Sequence, residues 1–121
     1  MDLNTLTHKA QEAIVAARSE ADRRRHQAIA PEHLLLALLG QGEGLVYPLL
    51  SKLSLDPAAL RRQLDDILGQ VPRVFGDTTT AFSPDLIRVL EAADGERAAM
   101  KDDYTSAEHL LLALAAAPGP A

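Results

Sequence analysis

A chain of 121 residues, 47% apolar and 24% charged, is long enough to bury one core and too apolar to stay disordered. The absence of cysteine excludes a disulfide framework and thiol chemistry, and a net charge of −5 argues against a nucleic-acid partner. The longest apolar run, Leu110–Ala117, falls short of the ~18 residues of a membrane span, and the opening MDLNTLTHK has no signal-peptide pattern, so a cytoplasmic protein without membrane contact is expected.

The first predicted helix runs from Thr7, its N-cap, to about Arg25, with Ala10, Ala13, Ile14, Ala17 and Ala21 on one face. Arg23–Arg25 reads as a solvated helix end. Helix two covers Pro31–Leu39: proline suits the first helical position, Glu32 complements the dipole, and Gly40 marks the end. Its leucines cover most faces, which predicts a buried, central helix. Gln41–Gly44 is a turn. Helix three carries Leu45, Val46, Leu49, Leu50 and Leu53, with Pro48 in its first turn. Asp56-Pro57 starts helix four, which buries Leu60, Leu64, Ile67 and Leu68 and stops at Gly69.

Gln70–Ala81, with Pro72, Gly76 and three threonines, reads as a linker. Ser83-Pro84-Asp85 is a strong helix start, with Phe82 and Ile87 placed for a hydrophobic staple. Helix five then covers Pro84–Met100, with Leu86, Ile87, Leu90, Ala93 and Ala98 as inward candidates. Helix six covers Ala107–Ala116, ahead of Pro118-Gly119-Pro120-Ala121.

Helix six repeats helix two. APEHLLLAL at Ala30–Leu38 returns as SAEHLLLAL at Ser106–Leu114, and Glu108 and His109 follow Glu32 and His33 by 76 positions. The same offset carries Thr7 to Ser83. The expected fold is therefore all-α: a tandem pseudo-repeat of a four-helix unit with the second repeat truncated. Repeat one spans about 1–70, the linker about 70–81 and the partial second repeat about 82–117. A half-built second repeat should leave part of the Leu110–Leu114 face uncovered, a docking or aggregation surface.

Catalytic and cofactor motifs are not found. The Glu32-His33 and Glu108-His109 pairs lack the H-E-x-x-H spacing and a third ligand, so no metal is expected. The carboxylates suit helix starts and the imidazoles suit local hydrogen bonds. No glycine precedes a lysine, which removes the P-loop, and no nucleophile–base pair is apparent. A non-catalytic domain without a cofactor is the expectation.

MDLNTLTHKAQEAIVAAR followed by HQAIAPEHLLLALL, then LIRVLEAAD followed by KDDYTSAEHLLLALA, resembles the amino-terminal Clp repeat domain of the ClpB disaggregases. The linker QVPRVFGD is also similar to theirs. The resemblance covers residues 1 to about 117 and implies a two-repeat helical domain that engages exposed hydrophobic segments of unfolded or aggregated polypeptides. It further implies a hexameric parent whose two ATP-driven modules, with their ATP and magnesium, lie outside this chain, and which works with the DnaK system. By position, the family's polar groove markers fall on Thr7, Asp102 and Glu108. Groove positions that are leucine in some relatives fall on Ala92, Glu96 and His109. Two other readings follow from the same residues. One is a free-standing adaptor docking a partner on the Leu110–Leu114 face. The other is a ClpC-like domain gripping phosphorylated arginine through Glu32 and Glu108.

Overall fold

The computed structural model describes residues 5–41, 46–74 and 80–116. Helix α1 is His8–Arg23. Thr7 has extended backbone, and its Oγ1 accepts the Ala10 N–H at 3.2 Å. All five residues of the expected stripe are buried. Four are alanine, so the backbone of α2 (Pro31–Leu39) can lie close against α1. The helix ends two residues earlier than expected. Arg25 adopts φ 58° while its N–H reaches the Asp22 carbonyl and that of His26 reaches Ala21, a Schellman closure.

The ends of α3 (Val46–Lys52) and α5 (Pro84–Ala99) close the same way, with Ser54 at φ 61° and Lys101 at φ 59°. No glycine occupies these left-handed positions, which costs about 1 kcal/mol each. Gly40, expected to end α2 by conformational freedom, has right-handed φ −72°. An added Cβ there would sit 3.3 Å from the Ala37 carbonyl oxygen, a tight contact.

Helix α2 is central, with Pro31, His33, Leu34, Leu35, Leu38 and Leu39 buried. Helix α4 (Pro57–Gly69), capped by Asp56, packs on α2 with Leu64 and Leu68 buried and Leu60 and Ile67 half-buried. In α3, Pro48 falls in the first turn and Val46 and Leu50 are buried. Leu53 lies past the helix end and is exposed, and Leu45 and the rest of the expected turn at 42–44 fall outside the described residues.

Two inward assignments on α5 are corrected. Ile87 and Ala98 are exposed, and Val89 is buried beside Leu86, Leu90 and Ala93. The stripe of a 3.6-residue period through 86, 89, 90 and 93 leaves position 87 on the flank. A larger correction concerns α6 (Ala107–Ala116). Leu110, Leu111, Ala113 and Leu114 are buried and Leu112 is half-buried, so the face expected to lie open is covered. Helix α3 of repeat one crosses onto α6, together with α1, α2 and α5. The adaptor reading thereby loses the surface that motivated it.

The segments preceding the helices tie the repeats together. Strands β1 (Ala28–Ile29) and β2 (Ala81–Phe82) pair in parallel, Ala28 with Ala81 and Ile29 with Phe82, and Leu6 bridges Thr105. Val74 and Thr80 both bond to α1 or its end: the Val74 N–H reaches the Arg25 carbonyl, Arg18 reaches the Thr80 carbonyl, and the Thr80 hydroxyl bonds Asp22. Moving the first-repeat residue of one pairing forward by 76 positions and the second-repeat residue back by 76 yields the other pairing. Ile29 opposite Phe82 becomes Thr105 opposite Leu6. Likewise the Ser83 N–H to Ile29 carbonyl bond and the Thr7 N–H to Thr105 carbonyl bond, both 2.9 Å, exchange. The second repeat is thus related to the first by a pseudo-twofold rotation.

Candidate functional site

Both central helices begin with a histidine in the third position where a capping box usually has Glu or Gln. His33 Nδ1 accepts the Ala30 N–H at 2.8 Å, and His109 Nδ1 accepts the Ser106 N–H at 2.9 Å. Each neutral ring therefore keeps its proton on Nε2. From there His33 donates to His26 Nδ1 at 2.8 Å, and His109 donates to Asp102 Oδ2 at 3.0 Å. His26 and Asp102 are themselves 76 positions apart. Burial, then the neighbouring His26 and Arg24, lowers the His33 pKa from 6.5 to about 4. Burial, then the charges of Arg24 and Arg73, lowers that of His26, whose ring also donates to the Leu68 carbonyl of α4. The imidazoles are thus structural, as are the caps. Glu32 and Glu108 sit in matched first turns, both half-buried, and one carboxylate oxygen of Glu32 is buried without a hydrogen-bond partner among the described residues. Among these residues no three His, Asp or Glu side chains converge as a metal site, and no helix is long and apolar enough to cross a membrane.

The marker residues divide into two groups. Thr7, Asp102, Glu108 and His109 occupy one corner, because the Thr7 N–H bonds Thr105 and Asp102 bonds His109 across the α5–α6 connection. Their hydrogen-bonding atoms are mostly spent on the fold: the Thr7 hydroxyl caps α1, and both His109 ring nitrogens are occupied. Ala92 and Glu96 are exposed one turn apart on α5, with no hydrogen bond or ion pair joining them to that corner.

A cleft of about 500 Å³ lies between α1, α2 and α4. There Glu20 pairs with Arg23 and Arg24, and Arg24 reaches on to Asp65 at 2.7 Å. Burial raises the Glu20 pKa, but the hydrogen bonds from Arg23 and Arg24 outweigh it and hold the carboxyl below its usual range. These charges satisfy one another and offer little to a ligand.

The groove between α1 and α5 is different. Its volume is about 410 Å³, and it is lined by Gln11, Ile14, Val15 and Arg18 on one side and Phe82, Ile87, Leu90 and Glu91 on the other. Val15 is 64% exposed, Ile87 43% and Phe82 37%, so three large apolar side chains share one open surface. Both expected staple residues, Phe82 and Ile87, stand on its wall. The 76-residue offset relates Gln11 to Ile87, Ile14 to Leu90 and Val15 to Glu91, so the groove straddles the pseudo-twofold axis. Sequence reasoning missed it. Val15 lies off the α1 stripe, and the spacing of apolar residues on α5 places Ile87 inward. The available signal was that Val15 and Ile87 each correspond under the offset to a polar residue, Glu91 and Gln11, so the repeated core requires neither of them to be apolar.

Interlocked helical repeats with an apolar groove on their shared axis define the class: a double-repeat helical domain. The profile of the Clp repeat (R) N-terminal domain matches residues 5–121, and the chain belongs to that family. It is 37% identical to the chaperone protein ClpB of Bacillus cereus over 98% of this chain and 14% of that protein. Among solved structures it is similar to the N-terminal domain of the ClpV1 ATPase from E. coli, with a TM-score of 0.83 and 31% identity, over 93% of this chain and 68% of that one. It shares the fold of the ClpV N-domain solved in complex with a VipB peptide, with a TM-score of 0.73 and 22% identity, over 91% and 67% of the two chains. The chain thus spans about one-seventh of the ClpB relative's length.

Proposed function

We propose that this domain recognises exposed apolar segments of unfolded or aggregated polypeptides for a ClpB-type disaggregase. The observation that carries the reading is the α1–α5 groove, an apolar surface held between two helices that are each anchored by one buried stripe. Shallow contact with Val15, Phe82 and Ile87 suits weak, sequence-tolerant capture, because apolar burial is non-directional. The peptide-bound ClpV N-domain supports a polypeptide as ligand for this fold. In the parent protein, a hexamer acting with the DnaK system in the cytoplasm, ATP and magnesium would be handled by modules other than this domain.

The Thr7–Asp102–Glu108–His109 corner, with Ala92 and Glu96, is the competing surface, carried by the family resemblance. Titrating the isotopically labelled domain with a reduced, unfolded model protein separates the two by chemical-shift mapping. The groove reading expects shifts at Val15, Phe82 and Ile87. It also expects Val15→Asp with Ile87→Asp to weaken binding roughly tenfold or more at an unchanged thermal midpoint. Shifts confined to Thr7, Glu96 and Glu108 would assign the corner instead.

A further inference from the structure

The groove is apolar along its length and charged toward its ends. The carboxy-terminal end of α1 leads through β1 to β2 and the start of α5, and Arg18 bonds the Thr80 carbonyl just ahead of β2. The far end of α5 leads to Thr105, which pairs with Leu6 at the start of α1. The two helices therefore run in opposite directions, placing Arg18 beside Phe82 at one end of the groove and Glu91 toward Gln11 at the other. Glu91 has no hydrogen-bond or ion-pair partner among the described residues. The pseudo-symmetric counterpart of Glu91 is Val15, and that of Arg18 is Asp94, which pairs with Arg97 at 2.9 Å. The charges thus break a symmetry that the central Ile14 and Leu90 keep.

Resting on the groove as the polypeptide site, we infer that it takes a short apolar segment flanked by opposite charges, and that Arg18 and Glu91 decide which way round the segment lies. The pseudo-symmetric centre accepts either direction. A segment with its basic residue amino-terminal to the apolar stretch lies one way, so that this residue meets Glu91 and its acidic residue meets Arg18. Exchanging the flanking charges turns the segment round and leaves its affinity nearly unchanged. An exposed pair contributes little, so the two pairs together give roughly a fivefold preference for one direction. Salt of about 0.5 M screens such pairs and removes the preference while apolar binding persists.

The experiment uses two peptides, Lys-Leu-Val-Phe-Glu and Glu-Leu-Val-Phe-Lys, each with a nitroxide at the amino-terminus, added to the isotopically labelled domain. The inference expects dissociation constants within about threefold of each other. It expects one label to broaden amides near Glu91 and Gln11, and the other those near Arg18 and Phe82. In Glu91→Val, which restores the valine of the paired position, the amino-terminal label of each peptide should broaden both ends more evenly. Broadening of the same end by both peptides, with binding intact, overturns the directional inference and leaves the groove as the site. No broadening along α1 and α5 sinks the groove reading itself.

Discussion

Two buried polar side chains show how a repeat keeps its geometry while changing its chemistry. The ring of His33 links the Ala30 N–H to His26, and His26 continues to the Leu68 carbonyl, so one neutral chain joins α2, the end of α1 and α4. Protonating His33 would put a second N–H against the Ala30 donor. The unfolded chain takes up a proton on this imidazole below about pH 6.5, and the folded one only near 4. Between these values the unfolded state binds more protons, so stability is full above about 6.5 and falls as pH falls toward 4. The contribution lost is up to about 3 kcal/mol, and His26 acts in the same direction. Urea midpoints at pH 7.5 and 5 should show the decline. His33→Gln should flatten it, because Gln can accept from Ala30 and donate to His26 without titrating. An equally steep decline in that variant refutes the assignment. Thr105, fully buried where repeat one has Ile29, leaves its hydroxyl without a hydrogen-bond partner among the described residues. Thr105→Val should therefore raise the thermal midpoint by the equivalent of up to about 1 kcal/mol, and a lowered midpoint would reveal a partner for that hydroxyl.

Among the elements, what the chain disclosed beforehand was the part governed by local rules. The α1 stripe, the caps at Thr7, Ser83 and Asp56, and the leucine-covered α2 all follow from spacing and side-chain chemistry near the residues themselves. What stayed hidden was set by distant packing. The two-residue strands are too short to carry a pattern, and Ile87 lines an open groove rather than the core. The covering of α6 was equally hidden, because nothing local in Val46–Lys52 says that α3 lies against α6. That covering has a measurable consequence. Leu114 is 1% exposed, so Leu114→Ala should cost about 3 kcal/mol in urea unfolding. The half-buried Leu112 should cost about 1 kcal/mol when changed to alanine. Losses below that in both variants would mean that α6 is poorly anchored.

For the whole molecule, the same interlocking makes the repeats mutually dependent. Each repeat receives its neighbour's segment beside its own central helix, β2 on β1 in one case and Leu6 on Thr105 in the other, and α3 of repeat one covers part of α6. The groove exists only because α1 and α5 come from different repeats. A fragment of residues 1–74 would lose α5 and α6, uncovering alanine and leucine faces on α1 and α2 that are buried in the intact chain. Small units with part of their core exposed rarely retain specific packing. The fragment should therefore show helical circular dichroism without dispersed amide signals or a cooperative thermal transition. Adding a fragment of residues 75–121 should restore both, with a transition that depends on concentration. A lone 1–74 fragment that unfolds cooperatively and gives a dispersed spectrum would show that the first repeat is a self-sufficient unit. The shared axis would then be an accretion rather than the basis of the fold.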